Sequence, residues 1–316
     1  MVANRCSVCE QPIVGESRSL GGRSYCPACY TRVLRNRRSL WWATLGGIGA
    51  LAVFVALVAL IASRVPARPQ GVGLVLLGVV LALVPAALWL VVFYLQDVQE
   101  PEPKTFVVGV FLLGALLARA VGMPLIDELY RVEEWFPSGP LYHILGAILI
   151  VGFVQQFLIY AAVRYSVYLS REFDERVDGI LYATAAGLGY ATMVNIDYVV
   201  RSGGLDLVSG ALRIAVTAMA LASFGGVVGY FLGRCKFEDE PAWWMPLGLA
   251  LAATLDGLFT YFRGEVTATR VGLQGGGYNP WPGLLLGTAV AAITFGVLFY
   301  LIRRLLRQAE SVALQP

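Results

Sequence analysis

Residues Gly152–Arg164 read GFVQQFLIYAAVR, an apolar run interrupted by two adjacent amides, Gln155 and Gln156. The apolar character extends back to residue 140, and about 20 largely apolar residues are enough for a helix to cross the hydrocarbon core of a bilayer. Seven further stretches share it, at 41–63, 71–95, 105–124, 177–200, 206–233, 243–262 and 281–302. The segments between them carry turn chemistry: VPARPQ, QDVQEPEPK, PSGP, RSGGLD, FEDEPA and the longer RGEVTATRVGLQGGGYNP. Composition agrees, since the 316 residues are 58% hydrophobic and only 14% charged, with a mean hydropathy of +0.68. A soluble domain of this length seldom tolerates that balance. The expected fold class is an all-α polytopic membrane protein of about eight transmembrane helices. The lipid bilayer is its first partner. A net charge of +3 is too small to suggest nucleic acid.

The distribution of Lys and Arg orients the bundle. With the amino terminus inside, the cytoplasmic side holds Arg32, Arg35, Arg37, Arg38, Lys104, Arg164, Arg171, Arg176, Arg234, Lys236, Arg303, Arg304 and Arg307. The outer loops hold Arg64, Arg68, Arg131, Arg201, Arg263 and Arg270. That excess favours both termini in the cytoplasm, which an even number of spans requires. Segments such as YATAAGLGYATM and SFGGVVGYFLG point to close helix contacts, because helices in lipid associate through small residues. The stretch Asp127–Pro137, DELYRVEEWFP, reads as a surface segment at the outer interface, with Glu133 and Glu134 as solvated charges.

Four of the five cysteines stand in the first 29 residues, as CSVCEQPIVGESRSLGGRSYCPACY. Cys6, Cys9, Cys26 and Cys29 form two C-x2-C knuckles, the spacing with which four thiolates converge on one structural zinc ion. The metal replaces a core that so short a segment cannot build. Two disulfides are the rival reading, disfavoured in the reducing cytosol where the charge pattern places this end. A redox C-x-x-C pair is another, weakened by the presence of two pairs. The expected organisation is a zinc-ribbon-like module over 1–31, resembling half of a LIM-type finger. A basic juxtamembrane linker over 32–40, the membrane domain over 41–302 and a cytoplasmic tail over 303–316 follow it. A closed site of four cysteines leaves no position for catalysis, so the module suits a protein partner.

Arg119, Asp197, Arg213 and Asp256 are charged residues within spans, where such groups face the interior, pair or mark a path. The simplest expectation is a structural Asp197–Arg213 pair, with Asp256 either bonded to a glutamine amide or neutral.

The order EPEP at Glu100–Pro103, a polar pair in the next long helix, then RVDGILYATAAGLGYATMVNIDY from Arg176 resembles the PrsW family of intramembrane proteases, related to the CAAX-processing enzymes. The resemblance runs over about residues 96 to 262, and implies a helical bundle with its polar site inside a bacterial inner (plasma) membrane. It further implies a site built from four helices. The first carries two glutamates and, three residues on, a lysine. The second carries a glutamate followed by asparagine, the third a histidine, and the fourth a histidine with an acid four residues later. In this chain those positions are Gln155, Gln156 and Ile159, then Val194 and Asn195, then Leu221, then Ala252 and Asp256. Asn195 and Asp256 keep the pattern, and the others lose it.

An amide has the size and hydrogen-bonding capacity of the glutamate it replaces but no acid–base role near neutral pH. Hydrolysis by activated water needs such a base, usually with histidines to hold or polarise. The chain has one histidine, His143, about 18 Å along the helix axis from the glutamines. A zinc site made of carboxylates alone would have to draw on Asp178, Asp197 and Asp256. The expected function is therefore that of a non-catalytic relative: a binding platform, receptor or adaptor, recruiting a protein partner through the zinc module or the polar membrane site. Two readings compete with it. One is an active intramembrane protease with displaced catalytic residues, the other a small transporter, which rests on the buried charges alone and lacks an internal repeat. The glutamines themselves also admit a plainer role as interhelical hydrogen-bond glue.

Overall fold

Small residues decide where the helices of this chain touch. The computed structural model describes residues 5–6, 9, 11–13, 17–20, 23–30, 39–64, 70–94, 103–132, 134, 139–202, 207–268 and 281–313. Two short antiparallel strands, β1 (Arg18–Leu20) and β2 (Arg23–Tyr25), pair Arg18 with Tyr25 and Leu20 with Arg23. Helices α1 (Ser39–Arg64), α2 (Val72–Tyr94) and α3 (Lys104–Leu117) follow. The last of these runs on as π-helical turns, Ala118–Gly122 and Pro124–Leu129. Next come α4 (Pro140–Gly146), a π-helical segment Ala147–Gly152, and α5 (Phe153–Ser166), which together make one rod. The bundle closes with α6 (Arg176–Ser202), α7 (Leu207–Phe237), α8 (Trp244–Ala268) and α9 (Trp281–Ala313).

Each of the eight expected stretches falls on one of these rods, and the chain is an all-α polytopic membrane protein. Among the described residues, six helices are long and apolar enough to cross a membrane by length and composition. The central helix α6 is less apolar, yet residues 177–192 are all buried. Its alanines, glycines and threonines are shielded by protein, while large apolar residues that face outward lie on the outer helices. Val53, Leu57 and Leu60 of α1 and Leu76 and Val80 of α2 are exposed, as a lipid-facing surface requires.

The antiparallel pair α6 and α7 forms the densest contact, with α2, α3 and α5 against α6, and α8 and α9 against α7. A Cβ at Gly179 would collide with the carbonyl oxygen of Gly229, and one at Gly187 with that of Leu221. These spacings of eight residues, about two turns, set one face of α6 on one face of α7. The contact of α3 with α6 is built alike: a Cβ at Gly114 would strike the Ala186 carbonyl, and one at Gly189 the Phe111 carbonyl. Without a hydrophobic drive between helices in lipid, such backbone approach supplies the dispersion energy of packing.

Charged residues collect at the two ends. At one, Arg176 and Arg234 each bind Glu238 at 2.6 Å, and Arg234 also binds Glu240. At the other, Arg201 bridges Asp127 and Asp197, each at 2.5 Å. The expected Asp197–Arg213 pair is thereby corrected. The nearer cation, one turn along the same helix, takes Asp197, and the Arg213 guanidinium lies over the Tyr198 ring, 3.5 Å from its centroid. Asp127, read as a surface acid, instead ties the end of the α3 rod to α6, while Glu134 pairs with Arg131 in an exposed contact. Glu133 lies outside the described residues, as do most of the linker 32–40 and the loop 269–280. Strand β1 rests against α9.

Substituting Gly189 by Val should destabilise the bundle by about 1–3 kcal/mol or more, since a helix backbone must move to admit the side chain. Gly109→Val, at a position where nothing lies within 4 Å of an added Cβ, should be close to neutral. Thermal unfolding of the purified protein in detergent separates the two.

Candidate functional site

The π-helical segment Ala147–Gly152 inserts one extra residue per turn and so re-registers the face that α5 presents afterwards. Its last residue packs on α8: a Cβ at Gly152 would collide with the Ala253 carbonyl oxygen, and one at Gly257 with the Cα of Ile148. One turn beyond Gly152 on the same face stands Gln156, and beside Gly257 stands Asp256. The close approach brings the two side chains into contact, with Gln156 Nε2 donating to Asp256 Oδ2 at 2.8 Å. Both are buried, at 0% and 1% exposure. Of the two expectations for Asp256, the glutamine amide is the one the structure displays. Gln156 Oε1 has no hydrogen-bond partner among the described residues, and neither has the hydroxyl of Tyr190. That hydroxyl lies within electrostatic reach of Asp256 and presses on Gly122, the last residue of a π-helical turn.

The remaining positions divide. Gln155 is buried on the neighbouring face. Ala252 lies one turn before Asp256 and is fully buried, as is Ile159, which packs near Gly225 of α7. Leu221 offers its carbonyl to the Gly187 contact. Asn195 turns away and donates to the Ile214 carbonyl of α7 at 3.1 Å, a bond that ties α6 to α7. Val194 is half-buried against the main apolar cluster. The structure therefore joins Gln156 and Asp256, places the Tyr190 hydroxyl at Gly122 within electrostatic reach of Asp256, and gives Ile159, Leu221 and Ala252 to packing. Tyr190 escaped the sequence reading because an aromatic in a run of Gly and Ala reads as core.

The other acids and the histidine are used elsewhere. Asp178 accepts the backbone N–H groups of Asp174 and Glu175 at 2.8 and 2.6 Å, so it caps α6. Asp197 is bound by Arg201 near the other end, about 28 Å from Asp178 at 1.5 Å per residue. A carboxylate-only metal site cannot be assembled across that span. His143 is buried and sits edge-on to Tyr261, 5.3 Å between ring centroids, beyond Asp256 on α8.

In the amino-terminal module the Sγ atoms of Cys6, Cys9, Cys26 and Cys29 all lie within 4.8 Å of one another. The backbone N–H of Cys6 donates to the Gln11 carbonyl at 2.9 Å, which curls the first knuckle, and the β1–β2 hairpin delivers the second. Tyr25 and Cys6 are buried at its centre. The Cys29 thiol is pushed up to about 12, first by hydrogen bonding with Cys26, then by desolvation and by hydrogen bonds with Cys6 and Cys9. Crowded thiols resist ionisation one after another, whereas a divalent cation among them reverses that preference. The donor set and spacing fit a tetrahedral metal ion.

Comparison with known proteins places the membrane region. A profile described as "PrsW family intramembrane metalloprotease" matches residues 102–275. Protease PrsW of Halalkalibacterium halodurans is 32% identical over 179 residues, which is 56% of this chain and 79% of that protein. Protease PrsW of Geobacillus kaustophilus is 35% identical over 153 residues, 48% of this chain and 64% of that protein. Protease PrsW of Bacillus subtilis is 29% identical over 181 residues, 57% and 79%. No solved structure matches. The cysteine module, α1, α2 and α9 lie outside the matched profile.

The profile's description includes a metal, and the membrane centre does not fit one. It offers one carboxylate and two neutral amides, while Ile159, Val194, Leu221 and Ala252 carry no donor and Asn195 is spent on α7. Among the described residues, the group of His, Cys, Asp or Glu side chains close enough to hold an ion is the cysteine set.

Gln156 and Asp256 should be energetically coupled. Gln156→Leu and Asp256→Leu, alone and together, should give a double-mutant-cycle coupling of about 1 kcal/mol in thermal or denaturant unfolding, the size expected for a buried interhelical hydrogen bond. Additive effects would mean that the contact does not hold the helices together.

Proposed function

This chain belongs to the PrsW family of intramembrane metalloproteases, and we propose that within it the chain is a catalytically inactive member. It keeps the helical bundle as a binding platform and carries a cytosolic zinc module, residues 1–31, that recruits or senses a protein partner. The single observation that carries this reading is the Gln156–Asp256 contact. Where activated water would need a base and a held metal, this centre has an amide donating to the one carboxylate, and neither glutamine can take up a proton near neutral pH. A positioned base supplies about 10²–10⁴-fold in rate, and a metal-activated nucleophile several kcal/mol more. The buried residues Ile159, Leu221 and Ala252 can contribute to neither. The rest of the site retains a shape, held by the Gly152 and Gly257 contacts and by Asn195.

In this reading both termini face the cytoplasm of a bacterial cell. The arrangement of charge supports it, since Arg164, Arg176, Arg234 and Lys236 share one end of the bundle. The contact of β1 with α9 draws the module to the carboxy-terminal helix. One structural zinc ion at Cys6, Cys9, Cys26 and Cys29 is the metal complement.

The competing reading is a working intramembrane endopeptidase with displaced catalytic groups, favoured by the protease activity for which the relatives are named and by the buried Asp256 carboxylate. Purified protein reconstituted in liposomes with single-span membrane substrates, with and without added zinc, decides between them. No cleavage is expected, and Gln155→Glu with Gln156→Glu should not restore it. Metal analysis should find one zinc per chain, lost on Cys6→Ser with Cys9→Ser. Cleavage that vanishes in Asp256→Asn yet persists without the cysteines, or a second metal surviving their loss, would overturn the platform reading.

A further inference from the structure

At the end of the bundle that carries Arg176 and Arg234, the Arg164 side chain closes α5. Its guanidinium lies over the Tyr168 ring, 4.1 Å from the centroid, and its Nη1 is shielded from solvent without a hydrogen-bond partner among the described residues. A shielded donor on a charged group is costly, and native structures leave few of them without a ligand, ion or water. Lys236 stands at the same ring, its Nζ 5.2 Å from the centroid. It donates to the carbonyls of Tyr168 and Phe173, both at 2.5 Å, which uses two of the three ammonium hydrogens. Of the nearby acids, Glu238 and Glu240 bind Arg234, Glu238 also binds Arg176, Asp178 accepts two backbone amides, and Asp178 and Asp174 lie within electrostatic reach of Lys236. Two cations thus face one ring with unspent donors.

What flanks this pair selects the anion. Tyr165 and Leu169, in the last turn of α5 and just after it, are 81% and 85% exposed. An aromatic and an aliphatic side chain at the end of a membrane helix belong at headgroup depth, where one end of the ring is apolar and the other wet. The planar fork of an arginine matches phosphate oxygens in pairs.

We infer that Arg164, supported by Lys236, binds the phosphate of an anionic lipid headgroup, with Tyr165 and Leu169 resting against the apolar part of the same lipid. The site lies outside the polar centre, so it holds whether or not the chain hydrolyses peptides.

Full-length protein would be equilibrated with phosphatidylglycerol or with diacylglycerol of the same chains, which lacks the phosphate, and bound lipid counted by native mass spectrometry. The wild type should retain phosphatidylglycerol over diacylglycerol. Arg164→Gln should weaken that retention about tenfold, the scale of a charge-assisted hydrogen bond. Arg164→Lys should keep most of it, and Arg64→Gln, at another helix end, should keep all of it. Equal retention in Arg164→Gln, no preference in the wild type, or displacement of the lipid by millimolar inorganic phosphate, which would mark a free-phosphate site, each overturns the assignment. Should Arg164→Gln fail to fold, the wild type's own thermal shift decides: stabilisation by phosphatidylglycerol and none by diacylglycerol supports the site, and equal shifts sink it.

Discussion

Backbone-to-backbone approach of helices is the constraint on which this structure rests. In lipid, burying a leucine between helices gains little over leaving it against acyl chains, so the bundle is held by contacts that only glycine and alanine permit. The α6–α7 seam through Gly179, Gly187 and Gly229, and the α3–α6 seam through Gly114 and Gly189, are such contacts. They also explain why α6, the least apolar of the long helices, lies at the centre. A helix buried on every side by protein need not be soluble in hydrocarbon, and small residues let five neighbours reach it.

The same constraint positions the polar centre. Gly152 and Gly257 let α5 and α8 meet so closely that Gln156 and Asp256, about mid-way along their rods, must either bond or leave polar atoms orphaned in a low-dielectric interior. The bond satisfies one atom of each, while Gln156 Oε1 and the Tyr190 hydroxyl remain without a protein partner among the described residues. The shape of this polar centre is fixed by glycines that cannot change singly, because a Cβ at either would meet the backbone of the facing rod.

The helical architecture was legible because each stretch of about 20 apolar residues has one solution in a bilayer, and Gly-rich segments announce close contacts. The four cysteines were legible from spacing, and the structure brings their sulfurs together. Three features were not. The π-helical turns at Ala118–Gly122 and Ala147–Gly152 come from sequences, ARAVG and AILIVG, that suit an ordinary helix, and they arise from the tertiary fit of their neighbours. The partner of Asp197 was misassigned because Arg213 was sought across helices, while Arg201, four residues on along its own helix, is nearer. Arg164 served only as one positive charge in a count. That its Nη1 is shielded depends on the path of the loop that brings Tyr168 back over it.

Charge at the two ends differs in kind as well as number. Arg201 at one end is satisfied by two acids from two rods, Asp127 and Asp197, and so acts as a clamp between α3 and α6. At the other end Arg234 and Arg176 share Glu238 in a similar clamp, but Arg164 and Lys236 add positive charge with no acid of their own in the pairs formed there. A cytoplasmic leaflet is anionic, and its attraction for each cation near the surface is about 1 kcal/mol. In the proposed orientation Arg164 and Lys236, with Tyr165 and Leu169 near Arg164, face that leaflet. The cysteine module meets the carboxy-terminal helix through β1. In the proposed platform reading, a partner held by the module is brought to the helix that closes the bundle.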